Sequence, residues 1–433
     1  MINKLLVIFF LFFFTNCSFH KNSKFWTDEK KIDEEQLNIE NILKKNKSIE
    51  KEINPDLILE FSTNYQNNDT EERLLNNEGG KNFIGSLQNK SSFKFSKIKD
   101  FYRFNPELTF QNNNVIFFDN KGTILNFNSS SNLLWKKNYY SKLEKKQNPI
   151  LHFGNNKNVL VVVDNLANIY ALNLDSGELL WKKKNRAPLN TEVKILKDKL
   201  YVVDFDNTIR CYSLLNGNEL WNYKTENPLI KSQKKLSIIV YGNRIIFNNS
   251  IGDISSLDSS SGDFIWQIPT QSNMVYENSF SLKTSKLVSD KKNIYFSNNK
   301  NEFYSIDLKT GNLNWKSEVN SSLRPIIIDD FIFTVSDEGY FVILEKNTGK
   351  ILKAKNLYSN FKKKKTINLI PTGFALGKED LFVTTNNGHL IIADIKSGKL
   401  KNILKIDRDQ ISRPYIKDNF IYVARDNAII RLN

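Results

Sequence analysis

From residue 91 to residue 433 the chain alternates short apolar runs with clusters of Asn, Asp, Ser and Gly. Residues 159–163 read Val-Leu-Val-Val-Val, and residues 168–174 are again rich in β-branched and aromatic types. Asp175-Ser176-Gly177 then turns the chain, and residues 178–182 return it. Apolar runs this short, bounded by turn formers, predict strands rather than helices. The turn explains its own composition: glycine reaches positive φ without steric cost, while Asp, Asn, Ser and Thr side chains bond the local backbone.

The same frame recurs. Ala171-Leu172-Asn173-Leu174-Asp175-Ser176-Gly177 leads to Trp181, Ser213-Leu214-Leu215-Asn216-Gly217 to Trp221, Leu257-Asp258-Ser259-Ser260-Ser261-Gly262 to Trp266, and Ile306-Asp307-Leu308-Lys309-Thr310-Gly311 to Trp315. Asn128-Ser129-Ser130-Ser131 leads to Trp135, with Asn132 read at the glycine position. Two more copies, Asn347-Thr348-Gly349-Lys350 and Lys396-Ser397-Gly398-Lys399, keep the turn but place Lys353 and Asn402 where the tryptophan belongs. The spacings between successive tryptophan positions are 46, 40, 45, 49, 38 and 49 residues. Strand-rich units at periods near 40–50 predict a β-propeller of four-stranded blades. Trp135, Trp181, Trp221, Trp266 and Trp315 are expected to dock each blade on the next, each offering a broad apolar plate with one N–H donor.

The last unit supplies Arg413-Pro414-Tyr415-Ile416, then 420–424 and 428–432, and stops one strand short of a blade. A blade lacking its outer strand would leave a bare edge. Ser92-Phe93-Lys94-Phe95-Ser96, with Phe93 placed 42 residues ahead of Trp135, is the candidate to fill it. The expected fold is therefore all-β: an eight-bladed propeller over 91–433 whose last blade is closed by an N-terminal strand, at about 43 residues per blade.

The N-terminus carries a different signal. Lys4 precedes an uninterrupted apolar run over 5–14, followed by Thr15-Asn16-Cys17-Ser18. Ten residues rise only about 15 Å as a helix, too short to span a bilayer, so 1–16 is expected to be an export signal. Residues 17–90 are expected to form a tether, in which Ile32, Leu37, Ile39, Ile42, Leu43, Ile49 and Ile53 partly fit an amphipathic helix ended by Asn54-Pro55; a solvated linker is the other reading.

Composition narrows the function. The chain has 62 basic and 47 acidic residues, a formal charge of +15, but the cations are scattered rather than concentrated on one element, which argues against nucleic acid. Two cysteines preclude a disulfide framework, and His20, His152 and His389 lie too far apart for a local metal motif. His152 and His389 are expected to be structural, and Cys211, alone in a strand, a buried thiol. The run 362–365, Lys-Lys-Lys-Lys, reads as a solvated loop or an anionic-lipid contact. No metal and no cofactor are expected.

The turn-plus-tryptophan unit resembles the PQQ-like repeat, and Cys17 after the apolar run resembles a lipobox; together they resemble the BamB family of outer-membrane assembly lipoproteins. That resemblance implies a non-catalytic scaffold, lipidated at Cys17, facing the periplasm from the outer membrane. It further implies docking on the POTRA domains of a BamA-like barrel-forming subunit, and unfolded outer-membrane proteins as clients. The family's docking loop is matched by Leu229, Ile230 and Lys231 in Asn227-Pro228-Leu229-Ile230-Lys231-Ser232; its acidic pair is not matched, Phe280-Ser281-Leu282-Lys283 occupying that stretch. The competing class is a periplasmic quinoprotein dehydrogenase holding pyrroloquinoline quinone and calcium on the propeller axis. The vicinal cysteines that resemblance requires are absent from the sequence.

Overall fold

The computed structural model describes residues 49, 51–61, 74, 76–88, 90–156, 158–226, 231–270, 282–361 and 368–433, all within the unit Lys47–Asn433. The signal segment, Cys17 and the run 362–365 lie outside the described residues.

Eight four-stranded antiparallel sheets form a ring, an eight-bladed β-propeller. Blades 1 to 7 each use four consecutive strands; blade 3, for example, comprises Lys194–Leu196, Lys199–Val203, Thr208–Ser213 and Glu219–Lys224. The innermost strands begin at Thr109, Leu151, Lys194, Ile238, Val288, Ile326, Pro371 and Tyr415 for blades 1 to 8. Blade 8 takes Tyr415–Lys417, Phe420–Arg425 and Ala428–Leu432 from the C-terminal end, and its outer strand is Lys90–Lys94. Phe93 pairs with Ile429, and its ring meets Phe127 of blade 1 edge to face at 5.5 Å. The N-terminal strand thus closes the ring.

Burial follows strand position. The two middle strands of each blade have sheets on both faces and are buried along nearly their whole length, which is why they read as continuous apolar runs rather than alternating ones. Outer strands alternate, leaving Leu179, Leu180, Leu220, Phe264 and Leu313 exposed. The core lies between neighbouring sheets: Phe93, Phe117, Phe127, Leu160 and Tyr422 belong to one cluster that spans blades 8, 1 and 2.

The blade contacts converge on one geometry. Gly177, Gly217, Gly262, Gly311 and Gly349 all have positive φ, and a Cβ on each would lie 2.4–2.7 Å from the ring of Trp135, Trp181, Trp221, Trp266 and Trp315 respectively. Each indole therefore lies flat on the next blade's turn, where only a residue without a side chain fits. In blade 1 the positive φ belongs to Ser131, at 68°, and not to Asn132; the sequence frame was one residue off because serine does not advertise that conformation. The turn acceptor is also specific: Asp258 Oδ1 accepts from the backbone N–H of Ser260 and Ser261 at 2.8 and 3.1 Å, and Asp307 from Lys309 and Thr310 at 2.9 and 2.8 Å.

Blade 6 explains its missing tryptophan. Lys353 is fully buried, and its ammonium donates to the carbonyls of Pro55 and Leu57 at 2.9 and 2.5 Å. Ile53 bridges Ala354 antiparallel, each N–H donating to the other's carbonyl at 3.0 Å, so the segment 51–61 lies along the blade's outer edge. A helix running to Asn54 is excluded at its end: Ile53 is in a β-bridge because backbone pairing with an open edge outweighs a partial helical period.

Two changes test these contacts by urea unfolding. Phe93→Ala, at a side chain 1% exposed at the seam, is expected to destabilise by about 3–5 kcal/mol. Gly217→Ala, forced into positive φ against Trp181, is expected to cost about 1–3 kcal/mol, whereas Leu220→Ala on the exposed outer strand should stay within about 0.5 kcal/mol. Equal effects for all three would contradict the locking geometry.

Candidate functional site

The register of the inner hairpins brings one residue of every blade to the axis. Leu196 pairs with Lys199, Gln111 with Asn114, Tyr241 with Arg244, Ile328 with Phe331 and Lys417 with Phe420, so Glu192, Glu107, Ser237, Arg324 and Arg413 occupy equivalent positions before them. By their tight hairpin bonds His152, Lys286 and Gly373 stand at the same place in blades 2, 5 and 7. Small residues make room: a Cβ on Gly373 would lie 2.2 Å from the Cβ of Arg413.

These side chains interlock. Glu107 accepts from Lys235 at 2.7 Å and also pairs with Lys286. Glu192 lies 3.2 Å from Lys286, 3.8 Å from Lys194 and 4.0 Å from Arg324, and accepts from Ser237 Oγ at 2.8 Å. A strap formed by 76–88 crosses the inner strands and adds a third carboxylate. Asn76 Nδ2 donates to Val240, Asn77 exchanges two bonds with Ile327, and Lys81 N–H donates to Leu376, satisfying inner-strand backbone groups of blades 4, 6 and 7. Between these anchors Glu78 turns inward, where Arg413 donates to both its oxygens at 2.6 Å and Arg324 to one at 3.1 Å. The cluster lines a cavity of about 650 Å³ whose walls also include Phe110, Phe153, Ile195 and Tyr415.

Burial and charge set the protonation states. Burial alone would raise the Glu78 carboxyl, but Arg413 and Arg324 outweigh it and hold it at about 2. Glu107 and Glu192 are likewise pushed down against burial, the first by Lys235 and Lys286, the second by Lys194, Lys286 and Arg324. Burial lowers Lys194 to about 8 despite Glu192, and lowers Lys235 as well. Burial also pulls the His152 imidazole well below its ordinary range, with Lys235 adding to the effect, so at neutral pH it is an uncharged ring.

The propeller's repeats match the family model described as outer membrane protein assembly factor BamB over residues 115–355, more than half of the chain. The chain belongs to the BamB family. It is 24% identical over 206 residues to a protein named outer membrane protein assembly factor BamB from Legionella pneumophila, covering 45% of this chain and 48% of that one. A Shewanella oneidensis protein of the same name is 21% identical over 258 residues, covering 58% and 63% respectively. The chain thus spans about half to two-thirds of the curated relatives it matches. In fold it is similar to the crystal structure of BamB from Moraxella catarrhalis, with TM-score 0.64 and 14% identity over 81% of this chain and all of that one. It is also similar to a quinohemoprotein alcohol dehydrogenase from Comamonas testosteroni, with TM-score 0.56 and 10% identity over 82% and 78%, a likeness of fold alone.

Of the residues the BamB resemblance pointed to, Leu229 and Ile230 lie outside the described residues, as do Phe280 and Ser281. Lys231 is held against its own blade: its ammonium donates to Phe205 O at 2.8 Å, lies 4.9 Å from the centre of that ring and 3.8 Å from Asp206. Phe205 itself is 40% exposed, so cation and ring present a joint surface spot that the sequence did not announce. Cys211 is fully buried, and burial pushes its thiol up to about 12. His389 Nδ1 lies 2.7 Å from Asn387 Oδ1 and the ring meets Phe361 edge to face. Among the described residues no group of three acidic, histidine or cysteine side chains is placed to hold a metal, and no helix is long and apolar enough to cross a membrane.

The axial residues escaped the sequence reading because they share a register and not a residue type. Aligning the residue four places before the first residue of each inner hairpin turn finds one of them in every blade.

The lysines give a pH signature. Lys194 and Lys234 release their protons from about 8 in the fold, mainly through burial, while the unfolded chain keeps them to about 10.5. The unfolded state then binds more protons across that window, so stability rises with pH from about 8. Near 10 the rise is cut off, since buried Tyr140 and Tyr358 resist ionising and the unfolded chain ionises first. The melting temperature is therefore expected to climb between pH 8 and 10, and Lys194→Met with Lys234→Met to flatten that climb. An unchanged slope would remove these lysines as its source.

Proposed function

We propose that the chain is a non-catalytic scaffold of the machinery that assembles β-barrel proteins in the outer membrane. In this reading Cys17 carries the lipid anchor and the propeller faces the periplasm. The surface around Leu229, Ile230 and Lys231 docks on the POTRA domains of a BamA-like barrel-forming subunit, and unfolded outer-membrane proteins are the clients. The observation that carries it is the family match, which lies on the propeller itself rather than on a shared appendage. Two structural features support it. The exposed Phe205 ring capped by Lys231 suits an interface anchor, an aromatic plate beside a cation. The pairing of Ile53 with Ala354 displays, within the chain, the edge addition by which an extended client strand would bind the other blades.

Copurification from detergent-solubilised membranes is the direct test, with the barrel-forming subunit expected to co-elute. Its absence, with the propeller still folded by circular dichroism, would defeat the assembly reading. Lys231→Glu combined with Leu229→Asp is expected to weaken the complex at least tenfold, while Leu134→Ser on blade 1 leaves it intact. Cys17→Ser is expected to move the protein from the membrane to the soluble periplasmic fraction; retention on the membrane would refute the anchor.

A further inference from the structure

The axial cluster is unbalanced. Among the described residues of the cavity wall, Lys194, Lys235, Lys286, Arg324 and Arg413, with Lys81 and Lys417 beside them, outnumber the carboxylates Glu78, Glu107 and Glu192. Every carboxylate already serves at least two cations: Glu107 takes Lys235 and Lys286, Glu78 takes Arg324 and Arg413, and Glu192 is shared among Lys194, Lys286 and Arg324. Side chains of Lys194, Arg324 and Glu192 are 5–7% exposed, so solvent screens them poorly. The described cations thus exceed the carboxylates by at least two, in a space that burial makes costly for them.

Three further features make this a site rather than a strained core. The cavity, at about 650 Å³, has the size of a small-ligand site and far exceeds a water-sized void. Its donors converge from different blades, Lys194 from blade 3, Lys235 before blade 4, Lys286 before blade 5, Arg324 before blade 6 and Arg413 before blade 8, so an anion at the axis reaches several at once. Each is braced by a carboxylate or a backbone carbonyl, Lys194 donating to Leu74 O, which fixes the donors before anything binds.

We propose that the axial cavity binds one small dianion through carboxylate or phosphate oxygens, with Lys235, Lys286, Arg324 and Arg413 as its donors. A doubly charged ligand offsets part of this excess of cations, and guanidinium forks suit oxyanions of either chemistry. This site is independent of the scaffold role, because it faces the axis rather than the surface around Lys231.

The test is calorimetric titration of the purified full chain with inorganic phosphate and, separately, with succinate, against sodium chloride at matched ionic strength. One saturable site is expected for at least one dianion and none for chloride; which dianion binds tighter separates the phosphate source from the carboxylate source. Lys286→Gln is expected to weaken binding at least tenfold. Glu107→Gln, which raises the cation excess, is expected to tighten it several-fold. Should Lys286→Gln fail to fold, Lys235→Gln makes the same test. Equal heats for all three salts, or one affinity shared by wild type and both variants, would overturn the proposal. Loss of copurification with an assembly partner has no bearing on this outcome, so the two readings fail separately.

Discussion

The ring depends on a flat indole lying on a turn that has no side chain. Each sheet offers one face to each neighbour, and the alignment of the two is decided where Trp135 meets Gly177, Trp181 meets Gly217, and so on to Trp315 on Gly349. A left-handed glycine brings the turn within contact distance of the ring, and a Cβ would hold it off. Because five consecutive interfaces repeat that spacing, the wedge angle repeats too, and eight wedges meet at a seam closed by strand pairing between Lys90–Lys94 and Ala428–Leu432. At that seam Phe93 meets Phe127 edge to face instead of lying flat on a turn.

Where the indole is missing, other chemistry takes its place. Gly398 of blade 7 rests on the Cβ and Cγ of Lys355, an aliphatic stem doing what a ring does elsewhere. Lys353, freed from that duty, turns its ammonium to Pro55 and Leu57 and holds an N-terminal segment on the blade edge. The missing tryptophan and the docked segment thus belong together: the residue at the plate's position is the cation that holds a strand.

Strand content, blade count and closure were legible from the chain because they rest on recurring residue types: glycine at a positive φ, tryptophan four places later, β-branched runs between. The sequence puts Asn132 at the glycine position of blade 1 because Ser131 carries that backbone conformation without the glycine that reveals it. In the sequence the segments 51–61 and 76–88 look like tether because their Asn, Glu and Asp suggest solvation. In the structure those polar groups are matched to backbone edges, as Asn76 and Asn77 are to blades 4 and 6. Polarity in a sequence does not say whether water or a strand edge is the partner. The axial cluster is hidden for a related reason, since the register builds it on eight positions, far apart in the chain, that carry six different residue types.

An eight-membered ring cannot fill its own axis with the short inner strands it has, so what stands there is governed by charge balance more than by packing. Ser237, His152 and Gly373 share positions with Glu107 and Arg413 without disturbing the blades behind them. Glu78 is the exception in origin, since it comes from the strap and not from a blade. Removing it would leave Glu107 and Glu192 as the carboxylates among the described residues of the cavity wall, so the strap's position and the axial charge are coupled. Any anion that engages Arg324 and Arg413 draws on the same two guanidiniums that hold Glu78. By linkage, an occupant that displaces Glu78 loosens the strap, while one that shares the guanidiniums with it ties the strap down. In the sequence the strap is followed closely by the strand that closes the ring, Lys90–Lys94, which links the axial charge to the seam through the chain.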